Sequence, residues 1–160
     1  MVEIKFGPAS AREYLDQHVA PLYPRFLDVS TRENAMSLAS ALWNTAGWLW
    51  SDRHPGVNRG DQKMMAAAFD ADLFKRCPDL QLIRDLADAT KHGGELHRGS
   101  VIVKGVSGSE SPGGTSFTFS PLGTLQSTPE CTLQIDHGGG SRDLKEALTT
   151  AYKFLQNETS

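Results

Sequence analysis

One long apolar segment in the first third of the chain constrains the fold more than any other feature. It begins at a Ser-x-x-Glu capping box formed by Ser30 and Glu33, and it is predicted to run as a helix to Trp50 or Ser51 before His54-Pro55-Gly56 ends it. Its apolar positions cover more than half of the helical wheel, and they are Ala35, Leu38, Ala39, Leu42, Trp43, Ala46, Leu49 and Trp50. So wide an apolar surface must be covered on several sides, which predicts a helical bundle built around this segment.

Further helices are indicated on both sides of the central one. Their expected starts are the Ser10-x-x-Glu13 capping box, Asp61, Pro78 and Ser141. Pro21 and Pro24 should interrupt the first of them, and Gly93-Gly94 should end the one that begins at Pro78. The bundle is therefore expected over residues 10–93, and a C-terminal helix over 141–156 should pack back on it.

The character of the sequence changes after Gly99. Short runs rich in β-branched and aromatic residues, at 101–103, 117–119 and 132–135, are separated by stretches rich in Ser, Gly and Pro. They predict a two- or three-stranded antiparallel ribbon over 99–136, with a mobile loop at 107–115. The fold class is thus mainly α, a helical bundle with a small antiparallel β ribbon inserted before a C-terminal helix, in a single domain over 1–160.

Charge and cysteine content narrow the class of function. The formal net charge of −3 at pH 7 argues against a protein that a global basic field holds to nucleic acid, although a local patch can still bind a short single strand. Cys77 and Cys131 lack the spacing of a zinc site or a disulfide framework, which favours a reducing cytoplasm and predicts no metal. No motif indicates a cofactor. No segment approaches the roughly 20 apolar residues of a membrane span, so a membrane partner is not expected.

The residues best suited to chemistry lie between Leu80 and His92. The wheel of this segment divides into an apolar half and an ionisable half, and the ionisable half contains Gln81, Arg84, Asp85, Asp88, Lys91 and His92. Arg84, Asp88 and His92 form an i, i+4, i+8 row, so the carboxylate can orient and charge the imidazole for acid/base work. A solvated helix face with ordinary ion pairs is the alternative interpretation.

A helical bundle with a long central helix and the later helix Arg84-Asp85-Leu86-Ala87-Asp88-Ala89-Thr90-Lys91-His92 resembles the HEPN superfamily. Those small α-helical proteins include many ribonucleases and toxins of defence and toxin–antitoxin systems, and the resemblance covers residues 30–95. It implies a homodimer whose Arg and His side chains form a composite, metal-independent site for RNA cleavage. Here those residues would be Arg84 and His92, which are spaced more widely than the family's pair.

The resemblance also implies a role for each residue. His92 would be the general base or acid for attack by the RNA 2′-hydroxyl, and Asp88 would orient it. Arg84 or Lys91 would stabilise negative charge on the phosphate. Under this hypothesis the chain acts on RNA or binds nucleotides through Arg84 and His92, or it descends from such proteins and has lost the activity.

A second hypothesis is a non-catalytic protein-interaction module, for example one encoded by a phage or mobile element. It would use the β ribbon or a helix face to bind a protein partner. A stripe of small residues on the central helix would let another helix approach closely, either from this chain or from a second subunit, and it comprises Ser37, Ser40, Asn44, Gly47 and Ser51. Two other features are interpreted without a function. Arg53, His54 and Arg59 are expected to form a solvated loop rather than an anion site. His137-Gly138-Gly139-Gly140 is expected to be a flexible strand-to-helix turn.

Overall fold

Helices make up most of the described chain. The computed structural model describes residues 7–91, 103–111, 118–119, 125–126 and 132–160. Its helices are α1 (Ala11–Tyr14), which continues as a π-helix over Leu15–Val19, α2 (Leu22–Asp28), α3 (Arg32–Arg53), α4 (Lys63–Arg76), α5 (Pro78–Lys91) and α6 (Leu144–Glu158). Its strands are β1 (Val103–Ser107), β2 (Thr118–Phe119), β3 (Leu125–Gln126), β4 (Gln134–His137) and β5 (Gly140–Asp143). The predicted fold class, mainly α with a small antiparallel β insertion before a C-terminal helix, is confirmed.

The central helix α3 is buried on several sides, as its sequence predicts. It contacts α1, α2, α5 and α6, and Leu38, Leu42 and Ala46 are fully inaccessible to solvent. Its N-cap is Thr31 rather than the predicted Ser30, because Thr31 Oγ1 accepts the Asn34 N–H at 3.2 Å while the Ser30 hydroxyl donates to the Phe26 carbonyl at 2.9 Å.

The first part of the chain contains one more helix than the sequence suggested. Ser10 caps α1 as predicted, since its Oγ accepts the Glu13 N–H at 3.1 Å. Pro21 and Pro24 were expected to interrupt the helix, but Pro21 is the N-cap of α2 and Pro24 lies in its first turn. The N–H groups of a first turn have no acceptor within the helix, so proline is tolerated there. The π-helix before α2 contains a bond from the Ala20 N–H to the Leu15 carbonyl at 2.9 Å.

Two further predicted N-caps are wrong. Gln62, not Asp61, occupies the N-cap position of α4, and it makes no capping bond from its side chain. Asp143, not Ser141, caps α6 by accepting the Glu146 N–H at 2.8 Å. The reason for the second error is that Ser141 lies within β5, so the chain forms a strand before it turns into the helix.

A three-stranded antiparallel sheet in the order β1-β4-β5 covers one side of the bundle. The His137-Gly138-Gly139-Gly140 segment was expected to be a flexible strand-to-helix turn, but it is the turn of the hairpin between β4 and β5, in which His137 pairs with Gly140. Gly140 has a φ of +131°, a backbone conformation that L side chains rarely adopt. Val103, Leu133 and Ile135 are buried and join the helical core. In the second ribbon Thr118 pairs with Gln126.

The chain after β1 lies against the start of α3. The Arg32 guanidinium donates to the Gly108 carbonyl at 3.0 Å, and the Glu110 carboxylate accepts the Arg32 N–H at 2.9 Å. Ser111 forms an isolated β-bridge with Ser30. These contacts involve residues 108–111 of the segment 107–115 that was predicted to be mobile, and residues 112–115 lie outside the described part of the chain.

Candidate functional site

Asp85 is inside the protein, although the wheel of α5 places it on the ionisable half. The apolar half is buried as predicted, at Leu80, Leu82, Ile83, Leu86, Ala87 and Ala89. Asp85 is only 1% exposed, because β1 begins directly beside it and the Val103 N–H donates to Asp85 Oδ2 at 3.3 Å. The interpretation of this half as wholly solvated is therefore wrong at Asp85.

Arg84 neutralises this buried carboxylate. Its Nε and Nη2 atoms donate to Asp85 Oδ1 at 3.0 and 2.7 Å, and its guanidinium carbon lies 5.0 Å from the centroid of the Phe74 ring. The Arg84 side chain is 16% exposed. A carboxylate without water needs both an opposite charge and hydrogen-bond donors, and Arg84 supplies both. Arg84 thus has a structural role between α4, α5 and β1.

The other predicted site residues lie towards the C-terminal end of α5. Asp88 is part-exposed and Lys91 is exposed, and the Lys91 ammonium lies 4.0 Å from Asp88 Oδ1. His92 lies outside the described residues. The structure therefore brings Asp88 and Lys91 together, it pairs Arg84 with Asp85, and the expected contact between Asp88 and His92 stays a prediction.

The thiol of Cys77 is not set up as a nucleophile. Cys77 lies in the core between α4 and α5, and burial raises the pKa of its thiol, which disfavours the reactive thiolate. In the described part of the chain, no group of three or more His, Cys, Asp or Glu side chains is placed to hold a metal ion. The same part contains no helix that is both long and apolar enough to cross a bilayer.

The loop after α3 makes more side-chain contacts with the rest of the protein than a solvated loop or an open anion site would make. His54 stacks on Trp50 with a centroid separation of 3.9 Å. The Arg59 guanidinium pairs with the Asp70 carboxylate and lies 5.7 Å from the Trp50 centroid. Both side chains are occupied because the loop folds back over the aromatic end of α3, and this arrangement is not visible in the local sequence.

A cleft that the sequence did not indicate lies between the start of α5 and the β4–β5 hairpin. It has a volume of about 200 Å³ and is lined by Pro78, Asp79, Gln81, Leu82, His137 and Arg142. Arg142 donates to both Asp79 oxygens at 3.1 Å, and the Gly139 N–H donates to His137 Nδ1 at 3.1 Å. Because the Asp79 and Arg142 charges neutralise each other, the cleft does not select an anionic or cationic ligand.

One side of α4 packs on the core, and the other side is apolar and faces outward. Ala66 and Leu73 seat the helix on the core. Met64 is 91% exposed, and Met65 is 47% exposed. We call the exposed line of Met64, Ala67, Ala68 and Ala71 the outer face of α4. The sequence predicted a helix here from its apolar residues, but it could not show that the helix buries one side and leaves Met64 in water.

The small-residue stripe of α3 is open over part of its length. Ser37, Asn44 and Ser51 are exposed, whereas Ser40 and Gly47 are half-buried. Aromatic stacks flank it: Trp43 with Phe74 at 5.9 Å between centroids on one side and Trp48 with Tyr14 at 5.8 Å on the other. Close approach of a helix from a second subunit along the exposed part of the stripe stays a prediction.

Comparisons with protein-family models, with curated proteins and with solved structures give no match to this chain. The exposed surfaces and ion pairs of the chain itself are therefore the basis for a proposed function.

Proposed function

We propose that this chain is a non-catalytic protein-interaction module that binds its partner through the outer face of α4. The observation that carries the proposal is the exposure of Met64, at 91%, on a helix face whose other members are alanines. Contiguous apolar patches larger than a few hundred Å² are uncommon on monomeric proteins, and exposed apolar patches often mark interaction sites. Methionine suits such a surface because its unbranched, polarizable side chain adapts to the shape of a partner.

The energetics favour a helix as the bound element. Burying a Met side chain contributes about 1.5–3 kcal/mol, so Met64 and Met65 together can anchor a modest interface. The alanines at 67, 68 and 71 present no bulk, which lets a second helix lie close along the whole face. Apolar residues at i, i+3, i+4 and i+7 are the spacing by which helices are recognised in protein complexes.

Cleavage of RNA stays a second proposal. In its favour, Asp88 and Lys91 form a polar surface at the end of α5, and His92 is the next residue in the sequence. Against it, the Arg84 guanidinium is engaged by Asp85, and the part-exposed carboxylate of Asp88 disfavours a phosphate backbone. We therefore place the interaction module first. The cytoplasm is the location that we propose for it, because the spacing of its two cysteines is not that of an oxidised framework.

The proposal is tested by affinity capture from extracts of the source cells, followed by quantitative mass spectrometry. Bait proteins should be the wild type, Met64→Glu and, as a matched control, Thr150→Glu on the exposed side of α6. A partner should be enriched by the wild type and by the control and lost with Met64→Glu. If all three baits capture the same proteins, the outer face of α4 is not the surface that binds them.

A further inference from the structure

We infer that the partner on the outer face of α4 is a second copy of this chain, packed antiparallel through the same helix. The inference rests on the proposed function and adds the identity of the partner. A two-fold axis makes one surface bind itself, so the face must be complementary to its own reversed copy in both size and charge. The outer face of α4 meets both conditions.

Around the centre of the outer face, each large side chain of one copy lies opposite a small side chain of the other. With the two-fold axis between Ala67 and Ala68, Met64 of one copy lies level with the partner's Ala71, each about 5 Å along the helix from the axis. Met64 and Ala71 are seven residues apart, so they differ by only about 20° on the helical wheel. Each Met therefore packs over an Ala of the other copy, and the central alanines allow close approach of the two helices.

The charges match in the same register. Lys75, exposed on the line of the outer face, lies level with the turn that precedes α4 in the other copy. That turn contains the exposed Asp61, so the axis places Lys75 beside the partner's Asp61 at both ends of the interface. A parallel pair would instead bring Met64 onto Met64 and Lys75 onto Lys75. Like charges at close range are unfavourable, and this selects the antiparallel arrangement.

The interface should be weak. A helix of 14 residues is about 21 Å long, and a standard interface covers about 800 Å² on each partner. The outer face of α4 is smaller than that, although Met65 and Val57 extend it. We therefore expect a dimer that forms reversibly with concentration, with a dissociation constant in the micromolar range or above.

The test is sedimentation equilibrium of the purified full chain at low salt, up to about 1 mM protein. The mass of the wild type should rise with concentration from 17.4 kDa towards twice that value. Met64→Glu and Ala68→Glu should remain monomeric, whereas Thr150→Glu should behave as the wild type. Circular dichroism should show that all variants fold, since the substituted positions are exposed.

A charge swap distinguishes this register from any other contact through α4. Lys75→Asp and Asp61→Lys should each raise the dissociation constant about tenfold, because each places like charges together at both ends. The double variant should restore the dimer to within about threefold of the wild type. If the double variant is as weak as the singles, the antiparallel register is wrong.

Failure of the inference can be told from failure of the proposed function. A wild type that stays monomeric at every concentration overturns the self-pairing, and Met64-dependent capture of a different protein would then leave the interaction module standing. A dimer that Asn44→Glu abolishes and Met64→Glu does not would move the contact to the α3 stripe and overturn the inference as well. Loss of both the dimer and the Met64-dependent capture removes both proposals.

Discussion

The Arg84 guanidinium lies 2.7 Å from the carboxylate of Asp85, the next residue in the chain, although neighbouring residues on a helix point about 100° apart. The two side chains meet because Asp85 is buried under β1 and Arg84 curls over Phe74 to reach it. This relationship changes what a substitution at Arg84 reports, because a loss of function there would include a loss of stability.

Arg84→Ala should lower the free energy of unfolding by about 3–5 kcal/mol, because it removes the guanidinium that donates two hydrogen bonds to a buried carboxylate. The double variant Arg84→Met/Asp85→Asn removes both charges and should recover most of that loss. Urea denaturation of the two variants beside the wild type measures the difference. Equal losses in the single and double variants would show that Asp85 is not the residue that requires Arg84.

Leu42→Ala should cost about 2–5 kcal/mol of unfolding free energy, because Leu42 is fully buried at the centre of α3 and its truncation leaves a cavity. Asn44→Ala, on the exposed side of the same helix, should change stability by less than about 0.5 kcal/mol. Denaturant melts of both variants provide the measurement. A loss below about 1 kcal/mol at Leu42 would mean that α3 is not the centre of the core.

Unfolding at low pH should depend on Glu158. Burial alone would raise the pKa of its carboxyl, but hydrogen bonds from Arg76 and Arg53 outweigh burial and hold the pKa below its ordinary value of 4.5. A carboxyl whose folded pKa is depressed stabilises the protein above the unfolded value, and this contribution is lost as pH falls through the folded value. Glu158→Gln should therefore be less stable than the wild type at pH 7 and should lose less stability on acidification. Parallel slopes of stability against pH in the two proteins would contradict this.

Gly108→Ala should destabilise the protein. Gly108 has a φ of +95°, and a β-carbon built there would lie 2.0 Å from the Thr132 carbonyl oxygen. Gly105→Ala, at a strand position with open space around the β-carbon, is the matched control. Thermal melts should show a lower melting temperature for Gly108→Ala than for the control. If the two variants melt together, the chain after β1 is free to move away from Thr132.

His92 provides the direct test of RNA cleavage. Under the interaction-module proposal, the purified wild type should not cleave single-stranded RNA at a rate above that of His92→Ala. Lys153→Ala, at an exposed position of α6, is the control, because it removes a cation outside the predicted site. His92-dependent cleavage with an unchanged melting temperature would instead establish the catalytic hypothesis and reverse the order of the two proposals.

The spacing of apolar residues predicted those parts of the fold in which one side of a helix is apolar and packs against the core. The buried side of α3 and the apolar half of α5 were both visible in the sequence, because burial there follows the 3.6-residue repeat. β5 was not visible, because Gly-Ser-Arg-Asp contains no β-branched or aromatic residue and becomes a strand only by pairing with β4.

The burial of Asp85, the exposure of Met64 and the cleft beside His137 could not be predicted from the sequence. They depend on contacts between segments that are distant in the chain. The wheel of α5 could not show that Val103 would cover Asp85, since their positions are 18 residues apart in sequence. Met64 is one of the apolar residues that predict a helix here, but residue type does not indicate which apolar side chains remain in water. For the same reason, the cleft beside His137 could not be expected before the position of Arg142 in β5 was known.

The π-helix between α1 and α2 lets this segment hold one residue more than a regular helix would. Its wider turn, closed by the bond from Ala20 to Leu15, absorbs that extra residue without turning the flanking segments away from their places. Removing the exposed Gln17 should therefore convert it to an ordinary helical turn and leave Phe26 of α2 in the core. The segment thus has a residue to spare, and it should accept the loss of one exposed residue more readily than a regular helix does.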